Sequence, residues 1–409
     1  MLGIRQHSST FLSARVLFLC LLGCRIFLDV SSKFPVEQFK VGRVPVQKRT
    51  AANCMEALRK KRERMRKDYA EKQAAYGLSE LELKTSWATK SGIYSDENMQ
   101  NLTIDCNLYQ ESDNRHIYFL HIHKAGGTSF CAAARANYYF ANFEEDCNAA
   151  YQGQCCGGDS IEAHAEFAEK TPYKFVANEW PMYDTMDSQR YRYVVQLRQS
   201  SDRYKSHYKV DKFVLQKRIP TFNQTFDEWL GLQPDNFSMR MICGERCLKR
   251  PKFQLTRDDF NYTIARLKRF DNIVFLEDYE RSYSRFASEV GWEAKPAPTN
   301  TFLTKTAKQA GKMISDTNST NIVPSSYTAL DDAIYDYAKN GMAVDPGANA
   351  DAVWSAKHKK SLEQYFDPGA AGRQLDCVTA CCHKCSFIFL WGEYMNKLLA
   401  SDPSPGKRG

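Results

Sequence analysis

The sequence predicts an α/β protein in which a parallel sheet is flanked by helices. Four short apolar runs, near 117–122, 173–178, 190–197 and 272–277, read as buried strands, and segments of helical character separate them. Strands that alternate with helices favour a parallel sheet that is covered on both faces. With 409 residues, of which 43% are apolar and 25% are charged, the chain is long enough for one large domain with additional segments.

A glycine turn follows the first strand and precedes a helix that begins at about Thr128. The first N–H groups of a helix lack partners and its dipole favours negative charge, so such a turn is suited to an anion. Glycines let the backbone approach the anion, and a lysine and two hydroxyl groups add side-chain donors. A tight strand-to-helix connection without a ligand is the alternative explanation. The predicted phosphate or sulfate site consists of Lys124, Ala125, Gly126, Gly127, Thr128 and Ser129.

The turn differs from the phosphate loop of nucleoside triphosphatases. That loop has the pattern G-x-x-x-x-G-K-[ST], in which the lysine follows the last glycine. In this chain Lys124 precedes both glycines. The best support for a kinase or a nucleoside triphosphatase is Glu277-Asp278, which follows the fourth strand in the manner of a Walker-B acid pair. This class is the less favoured alternative.

A second segment of the same kind begins with the strand that ends at Arg198. A helix is predicted over 201–217, and Ser206 lies about two helical turns along it, where it can share an anion with Arg198. Together with the loop at Lys124, this segment resembles the sulfotransferase family, especially the Golgi carbohydrate enzymes of the heparan sulfate 2-O and 6-O type. The shared patterns are Lys-x-Gly-x-Thr-Ser/Thr and Leu-Arg-x-x-x-x-Arg-x-x-Ser. In the second pattern, Gln199-Ser200 stands where the family often has Asp-Pro or His-Pro.

The resemblance implies a P-loop-like sheet of the sulfotransferase type and the co-substrate 3′-phosphoadenosine 5′-phosphosulfate. The loop at Lys124 would hold the 5′-phosphosulfate, and Arg198, Arg203 and Ser206 would hold the 3′-phosphate. Lys124 would also stabilise the charge of the leaving phosphate during catalysis. No metal is expected, because a sulfuryl group carries less charge than a phosphoryl group.

The resemblance also implies a catalytic base. The segment 164–167, His-Ala-Glu-Phe, is similar to the His-Ala-Asp-Trp segment of the 6-O enzymes, whose histidine is the proposed base. His164 is therefore the predicted base, since histidine suits proton transfer near neutral pH, and a purely structural histidine is the alternative. His123 is the second candidate, because His121 and His123 alternate beside the loop and one of them should face the cleft.

The amino-terminal segment predicts entry into the secretory pathway. The apolar run 16–24 is short for a membrane span, so a cleaved signal peptide and a signal anchor are both compatible with it. The usual type II anchoring of the resembling family favours an anchor in the Golgi membrane, with the catalytic domain in the lumen. The predicted organisation is a cytoplasmic tail (1–10), the anchor or signal peptide (11–28), a helical stem (29–112), the catalytic domain (113–400) and a flexible tail (401–409).

Cysteines and glycosylation triplets agree with a lumenal location. Twelve cysteines follow the apolar run, and disulfides are expected for them in an oxidising compartment. A zinc site in the cysteine cluster 377–385 is the less favoured alternative. The Asn-x-Ser/Thr triplets, which also follow the apolar run, begin at Asn101, Asn223, Asn236, Asn261 and Asn318.

The net charge of +8 suits an anionic partner, which could be a glycan or a nucleic acid. Part of this charge lies in 59–67, where seven of nine residues are basic, and a solvated stem helix explains that run. No nucleic-acid motif accompanies it, so a glycan acceptor is expected and a nucleic-acid partner is not. A tyrosyl-protein sulfotransferase and a glycan-binding relative without activity are further alternatives.

Overall fold

The computed structural model describes residues 51–75, 99–139, 174–179, 181–183, 185–218, 224–296, 321–341 and 356–366. They all belong to one compact unit, Lys48–Gly409. The predicted anchor at 11–28, the predicted base His164 and the cysteine cluster 377–385 lie outside the described residues. None of the helices in the described ranges is long and apolar enough to cross a membrane.

A parallel sheet forms the centre of the fold. Its strands, together with those of a small separate ribbon, are β1 (Met99–Asn101), β2 (His116–Leu120), β3 (Phe175–Asn178), β4 (Tyr191–Leu197), β5 (Asn272–Phe275) and β6 (Ala294–Pro296). The central sheet has the order β3-β2-β4-β5, and all its neighbouring strands are parallel. The ribbon joins β1 to β6 in antiparallel fashion. The central strands match the four predicted apolar runs, so the predicted parallel sheet is confirmed.

Helices connect and cover these strands. They are α1 (Ala51–Ala75), α2 (Gly127–Ala136), α3 (Ser200–Arg218), α4 (Phe226–Leu232), α5 (Phe237–Cys243), α6 (Glu245–Leu248), α7 (Arg257–Leu267), α8 (Tyr279–Val290), α9 (Ser325–Asp336) and α10 (Ala356–Phe366). A 3₁₀ turn precedes α8 and a π-helical turn follows α9. Helices α2 and α3 start within one residue of the predicted positions.

Both faces of the sheet are covered, as the sequence predicts. All seven residues of β4 are buried, which is typical of a parallel strand between two layers of helices. Val194 packs in one core cluster with Phe130 of α2 and Tyr283 of α8. Its neighbours Tyr193 and Val195 point the other way and belong to a second cluster, which includes side chains of α3, α5, α7 and α9.

The strand order creates a topological switch point. The chain passes from β2 to β3 on one side of β2 and then to β4 on the other side. In open parallel sheets, ligands bind at the carboxyl ends of the strands next to such a switch. The glycine turn follows β2, and Arg198 follows β4. Both predicted anion-binding segments therefore lie at this crevice.

Helix α1 carries the basic run of the predicted stem. A disulfide joins Cys54 of α1 to Cys106, and Lys61 donates a hydrogen bond to the carbonyl oxygen of Val290 at 2.9 Å. Most of the basic side chains on this helix are exposed. Part of the segment 29–112 is thus packed against the α/β domain, while its basic face is solvated.

A buried ionic network closes the opposite end of the sheet, where the strands begin. Arg192 of β4 donates hydrogen bonds to Asp113 at 2.8 and 3.0 Å and to Glu289 at 3.0 Å. Arg115 donates to Asp113 at 2.8 and 3.0 Å and to Asp271 at 2.9 Å. Burial acts to raise the pKa of Asp113, but the two guanidinium groups lower it by more. The net pKa of Asp113 therefore lies below its usual range.

We expect Arg192 to contribute far more to the free energy of unfolding than Arg285, which contacts the same carboxylate, that of Glu289. In Arg192→Leu, Asp113 and Glu289 each lose the hydrogen bonds from the buried guanidinium, and the free energy of unfolding should fall by about 3–5 kcal/mol. The control is Arg285→Ala. Arg285 contacts Glu289 at 3.4 Å but is 61% exposed, against 3% for Arg192, and losing an exposed pair costs less than about 1 kcal/mol. Urea denaturation measures both variants.

At acidic pH, the difference in the free energy of unfolding between the wild type and Arg192→Leu should become smaller. The folded-state pKa of Asp113 is depressed below its unfolded value of about 3.9. The resulting stabilisation is therefore present at neutral pH and is lost as the pH falls through and below that value. Equal stabilities of the two proteins at neutral pH would show that the network contributes nothing.

Candidate functional site

The glycine turn forms a tight loop between β2 and α2. Lys124 adopts a positive φ of 65° and Gly126 one of 98°, and the helix begins directly afterwards at Gly127. The N-cap residue Gly126 provides no side-chain hydrogen bond to the N–H groups that follow it. The side chains of Lys124, Thr128 and Ser129 are half-buried. The loop therefore has the features of an anion site at a helix N-terminus.

Close packing requires both glycines. A Cβ on Gly126 would lie 2.7 Å from Nε2 of Gln196 on β4, and one on Gly127 would lie 2.0 Å from the ring of His121. Ala125, which precedes them, is buried. The loop is thus pressed against β4 and against the end of β2, with no space for a side chain at either glycine.

The second predicted anion-binding segment meets the loop. Arg198 follows β4, and its Nη1 donates a hydrogen bond to the carbonyl oxygen of Lys124 at 3.2 Å. The half-buried side chain of Arg198 places a second positive charge beside the loop. Helix α3 begins two residues later, at Ser200, without the proline of the resembling pattern. The structure therefore brings Lys124 and Arg198 together.

Ser206 and Arg203 take different positions on α3. Ser206 is half-buried in the second turn, and no hydrogen bond joins it to Arg198 within the described residues. Arg203 is buried, with its guanidinium 4.1 Å from the ring centroid of Tyr204 and 4.2 Å from that of Phe237. Arg203 thus packs against aromatic rings in the core, and its three guanidinium nitrogens have no hydrogen-bond partner within the described residues.

Glu277 and Asp278 have structural partners. The carboxylate of Glu277 accepts a hydrogen bond from the N–H of Gln199 at 2.9 Å and another from the hydroxyl of Tyr335 at 2.8 Å. Asp278 accepts one from Arg281 at 2.8 Å. The acid pair therefore holds the start of α3 and the start of α8.

Two histidines after β2 converge on one carboxylate. Nδ1 of His121 lies 3.3 Å and Nδ1 of His123 lies 3.1 Å from Oε1 of Glu179, which follows β3. The side chain of His121 is 6% exposed and that of His123 is 36% exposed, so His121 is buried and His123 is partly accessible. That one of the two faces the cleft stays a prediction. Burial acts to raise the pKa of Glu179, but His121, His123 and Lys124 lower it by more. Glu179 is therefore ionised at neutral pH.

A third histidine, which the sequence patterns did not single out, lies behind this pair. His207 of α3 packs edge-on against His123, with their ring centroids 4.6 Å apart. Nε2 of His207 lies 3.3 Å from Oδ2 of Asp211. Burial lowers the pKa of His207 well below its ordinary value, and nearby positive groups act in the same direction. His207 is therefore neutral at neutral pH.

Gln196 and His207 belong to no motif of the site. Their unusual position in the sequence is the only signal that could have found them. Gln196 is a polar residue inside the apolar run of β4; it is 1% exposed, and its amide has no hydrogen-bond partner within the described residues. Such a buried amide is rare and indicates an unfilled requirement for a partner beneath the loop. His207 follows Arg203 and precedes Asp211 by four residues each, which places the three on one face of α3.

The described cysteines form disulfides, as expected. Cys54 pairs with Cys106, and Cys243 pairs with Cys247. Cys131 is also disulfide-bonded, and its partner lies outside the described residues. In the part of the chain that the structure describes, no group of three or more His, Cys, Asp and Glu residues is arranged to hold a metal ion.

Comparison of the chain with known proteins found no match. This holds for models of protein families, for curated proteins and for solved structures. The function is therefore inferred from the geometry and chemistry of the site.

We expect Gly127→Ala to destabilise the loop because its methyl group would overlap the ring of His121. Such overpacking typically costs about 1–3 kcal/mol. The matched control is Gly231→Ala in α4, where a Cβ meets nothing within 4 Å and the substitution should stabilise by about 0.4–1 kcal/mol. Urea denaturation of both variants tests the contrast. An equal effect of the two substitutions would argue against the close contact with His121.

Proposed function

We propose that the protein is a sulfotransferase that moves a sulfuryl group from 3′-phosphoadenosine 5′-phosphosulfate to a hydroxyl of a glycan. The observation that carries the proposal is the contact of Arg198 with the carbonyl oxygen of Lys124. This contact brings two cationic side chains next to a helix N-terminus without a side-chain cap, at the switch point of a parallel sheet. A nucleotide with separate 5′ and 3′ anionic groups suits two neighbouring anion sites of this kind.

The loop has the groups that a phosphosulfate requires. The N–H groups at the start of α2 and the side chains of Lys124, Thr128 and Ser129 would bind the 5′-phosphosulfate. Gly126 and Gly127 would permit the close approach of the backbone. The donors of the loop thus come from the backbone, from hydroxyl groups and from one ammonium group.

The second segment would bind the 3′-phosphate. Arg198 can donate two parallel hydrogen bonds to a phosphate, which is the strongest form of this contact. Ser206, half-buried on α3, would add a hydroxyl donor. Arg203 has a packing role in this proposal, because its guanidinium lies between two aromatic rings.

Transfer requires stabilisation of charge and a base. The sulfur moves in line from a phosphate oxygen to the acceptor oxygen, so negative charge grows on the oxygen that is left behind. Lys124 would stabilise this charge. The acceptor hydroxyl must lose a proton, and the resemblance gives that role to His164, with His123 as the second candidate. No metal ion is part of the proposal.

The alternatives differ in the ligand that they require. A kinase or nucleoside triphosphatase would need the acid pair after β5 for magnesium, but Glu277 uses its carboxylate to hold Gln199 and Tyr335. A tyrosyl-protein sulfotransferase would share the co-substrate and differ only in the acceptor. A panel of glycans and tyrosine peptides, incubated with radiolabelled sulfate donor, separates these cases.

In this proposal the protein encounters its glycan acceptor in the secretory lumen. The disulfides of the described residues support an oxidising compartment, and the net charge of +8 suits an anionic glycan. We place the protein in the Golgi membrane as a single-pass type II protein, held by the segment 11–28, with its catalytic domain in the lumen.

We expect the protein to bind 3′-phosphoadenosine 5′-phosphate without magnesium and to bind ATP more weakly. Arg198→Ala should weaken this binding by about 1.5–3 kcal/mol, because a charge-assisted hydrogen bond is lost. Arg281→Ala is the control, since Arg281 is exposed and contacts only Asp278 among the described residues. Calorimetry measures all three proteins. Tight, magnesium-dependent binding of ATP would contradict the proposed function.

Glycosylation should follow the exposure of the triplets if the protein is lumenal. Asn101 and Asn261 are exposed. Asn236 is fully buried, and its Oδ1 accepts hydrogen bonds from the N–H groups of Leu330 and Asp331 at 2.9 and 3.3 Å. In eukaryotic cells, Asn101→Gln and Asn261→Gln should each remove one glycan, as seen by mobility before and after N-glycosidase. Asn236→Gln should leave the glycans unchanged and lower the stability. A glycan attached at Asn236 would contradict the structure.

A further inference from the structure

We infer that Glu179 and His123 form the base that activates the acceptor hydroxyl, with His207 as a neutral positioning residue behind them. The inference rests on the proposed sulfotransferase activity and names the atom that receives the acceptor proton. The role of the base thereby passes from His164 to His123 and Glu179.

The hydrogen bond to Glu179 selects the tautomer of His123. An ionised carboxylate can only accept, so Nδ1 of His123 carries the proton that is donated to Glu179 at 3.1 Å. The lone pair of the ring is then on Nε2, and no hydrogen bond occupies that atom within the described residues. The side chain is 36% exposed, so the ring is accessible to solvent. An accessible imidazole that is held by a carboxylate has the arrangement of a general base.

His121 does not have this arrangement, although its Nδ1 also lies near the carboxylate of Glu179. Its side chain is 6% exposed, and its ring lies where a side chain on Gly127 would be. It stacks on Phe119 in the core, with ring centroids 5.8 Å apart. His121 therefore supports the loop, and His123 faces the ligand.

Two charged groups lie next to His123. Glu179, which follows β3, accepts the hydrogen bond from its Nδ1 at 3.1 Å, and Lys124 is the next residue in the loop. A negative and a positive group therefore flank the ring.

His207 adds no charge to this balance. It packs against His123 from α3, and its Nε2 lies 3.3 Å from Oδ2 of Asp211, a carboxylate oxygen that can only accept a hydrogen bond. Burial, together with the nearby charges of His123, Arg203 and Lys124, lowers the pKa of His207 well below its ordinary value. His207 therefore fixes the ring of His123 from behind without competing for the proton.

The proposed step balances in atoms and charge. The bond from sulfur to the acceptor oxygen forms while the bond from sulfur to the bridging phosphate oxygen breaks, and the electron pair of the broken bond stays on the phosphate. The acceptor proton passes to Nε2 of His123. Glu179 compensates the charge of the imidazolium, as the carboxylate of a catalytic triad does. The proton leaves to solvent after the products dissociate.

The first test does not depend on activity. Heteronuclear NMR of the histidine side chains reports which ring nitrogen carries the proton. We expect the Nδ1–H tautomer for His123 and the Nε2–H tautomer for His207. In Glu179→Ala, His123 should change to the Nε2–H form that a free imidazole prefers, while His207 should keep its own. An Nε2–H tautomer of His123 in the wild-type protein would overturn the inference.

The second test compares the transfer rates of the variants. Each is incubated with radiolabelled sulfate donor and with the glycan or peptide of the panel that the wild type sulfates. His123→Ala should lower kcat about 10²–10⁴-fold and leave the binding of 3′-phosphoadenosine 5′-phosphate unchanged. Glu179→Ala should lower kcat at least about 10-fold, since an orienting carboxylate holds the reactive tautomer. His116→Gln, at the other end of β2, should retain wild-type rates.

His164→Ala separates the two candidates for the base. Normal turnover of His123→Ala, with loss of turnover in His164→Ala, would overturn the inference and leave the proposed function intact. If the wild type neither binds the nucleotide nor sulfates any acceptor, the proposed function fails, and the base role fails with it. The tautomers measured by NMR would then still decide whether the pair of His123 and Glu179 exists.

Discussion

The close contact between the glycine loop and strand β4 is the constraint on which the rest of the site depends. A Cβ on Gly126 would collide with a side chain of β4, and one on Gly127 would collide with a ring at the end of β2. Only glycine at both positions allows the loop to come this near. The approach brings the carbonyl oxygen of Lys124 within hydrogen-bond distance of Arg198, which is 74 residues away in sequence. Two separate segments that are predicted to bind anions thereby lie side by side.

The two ends of β4 have different roles. At its start, Arg192 is buried and fully engaged with carboxylates, which anchors the strand in the sheet. Near its end, Gln196 is equally buried but has no hydrogen-bond partner within the described residues. Polar groups that are satisfied at one end and unsatisfied at the other are expected where a fold gives up stability for a binding site. The proposed ligand site therefore lies at the carboxyl end, where the switch point also lies.

The order of the strands explains why His123, Glu179 and His207 meet beside the loop. Because β2 and β3 are parallel neighbours, the residues that follow them meet at the same edge of the sheet. His123 follows β2 and Glu179 follows β3, so their side chains come within 3.1 Å. His207 reaches the same place from α3, which follows β4. Three consecutive strand ends thus contribute one group each to a single cluster.

The sequence by itself determined the parallel sheet, the starts of α2 and α3 and the glycine turn. These features depend on local periodicity and on the freedom of glycine, both of which can be read along the chain. Only the tertiary structure decided that Glu179 is the partner of His123, that Arg203 packs in the core and that Asn236 is buried. Such outcomes depend on which strands are neighbours and on which face of a helix meets the sheet. A local pattern does not contain that information, because the contacts join residues that are distant in sequence.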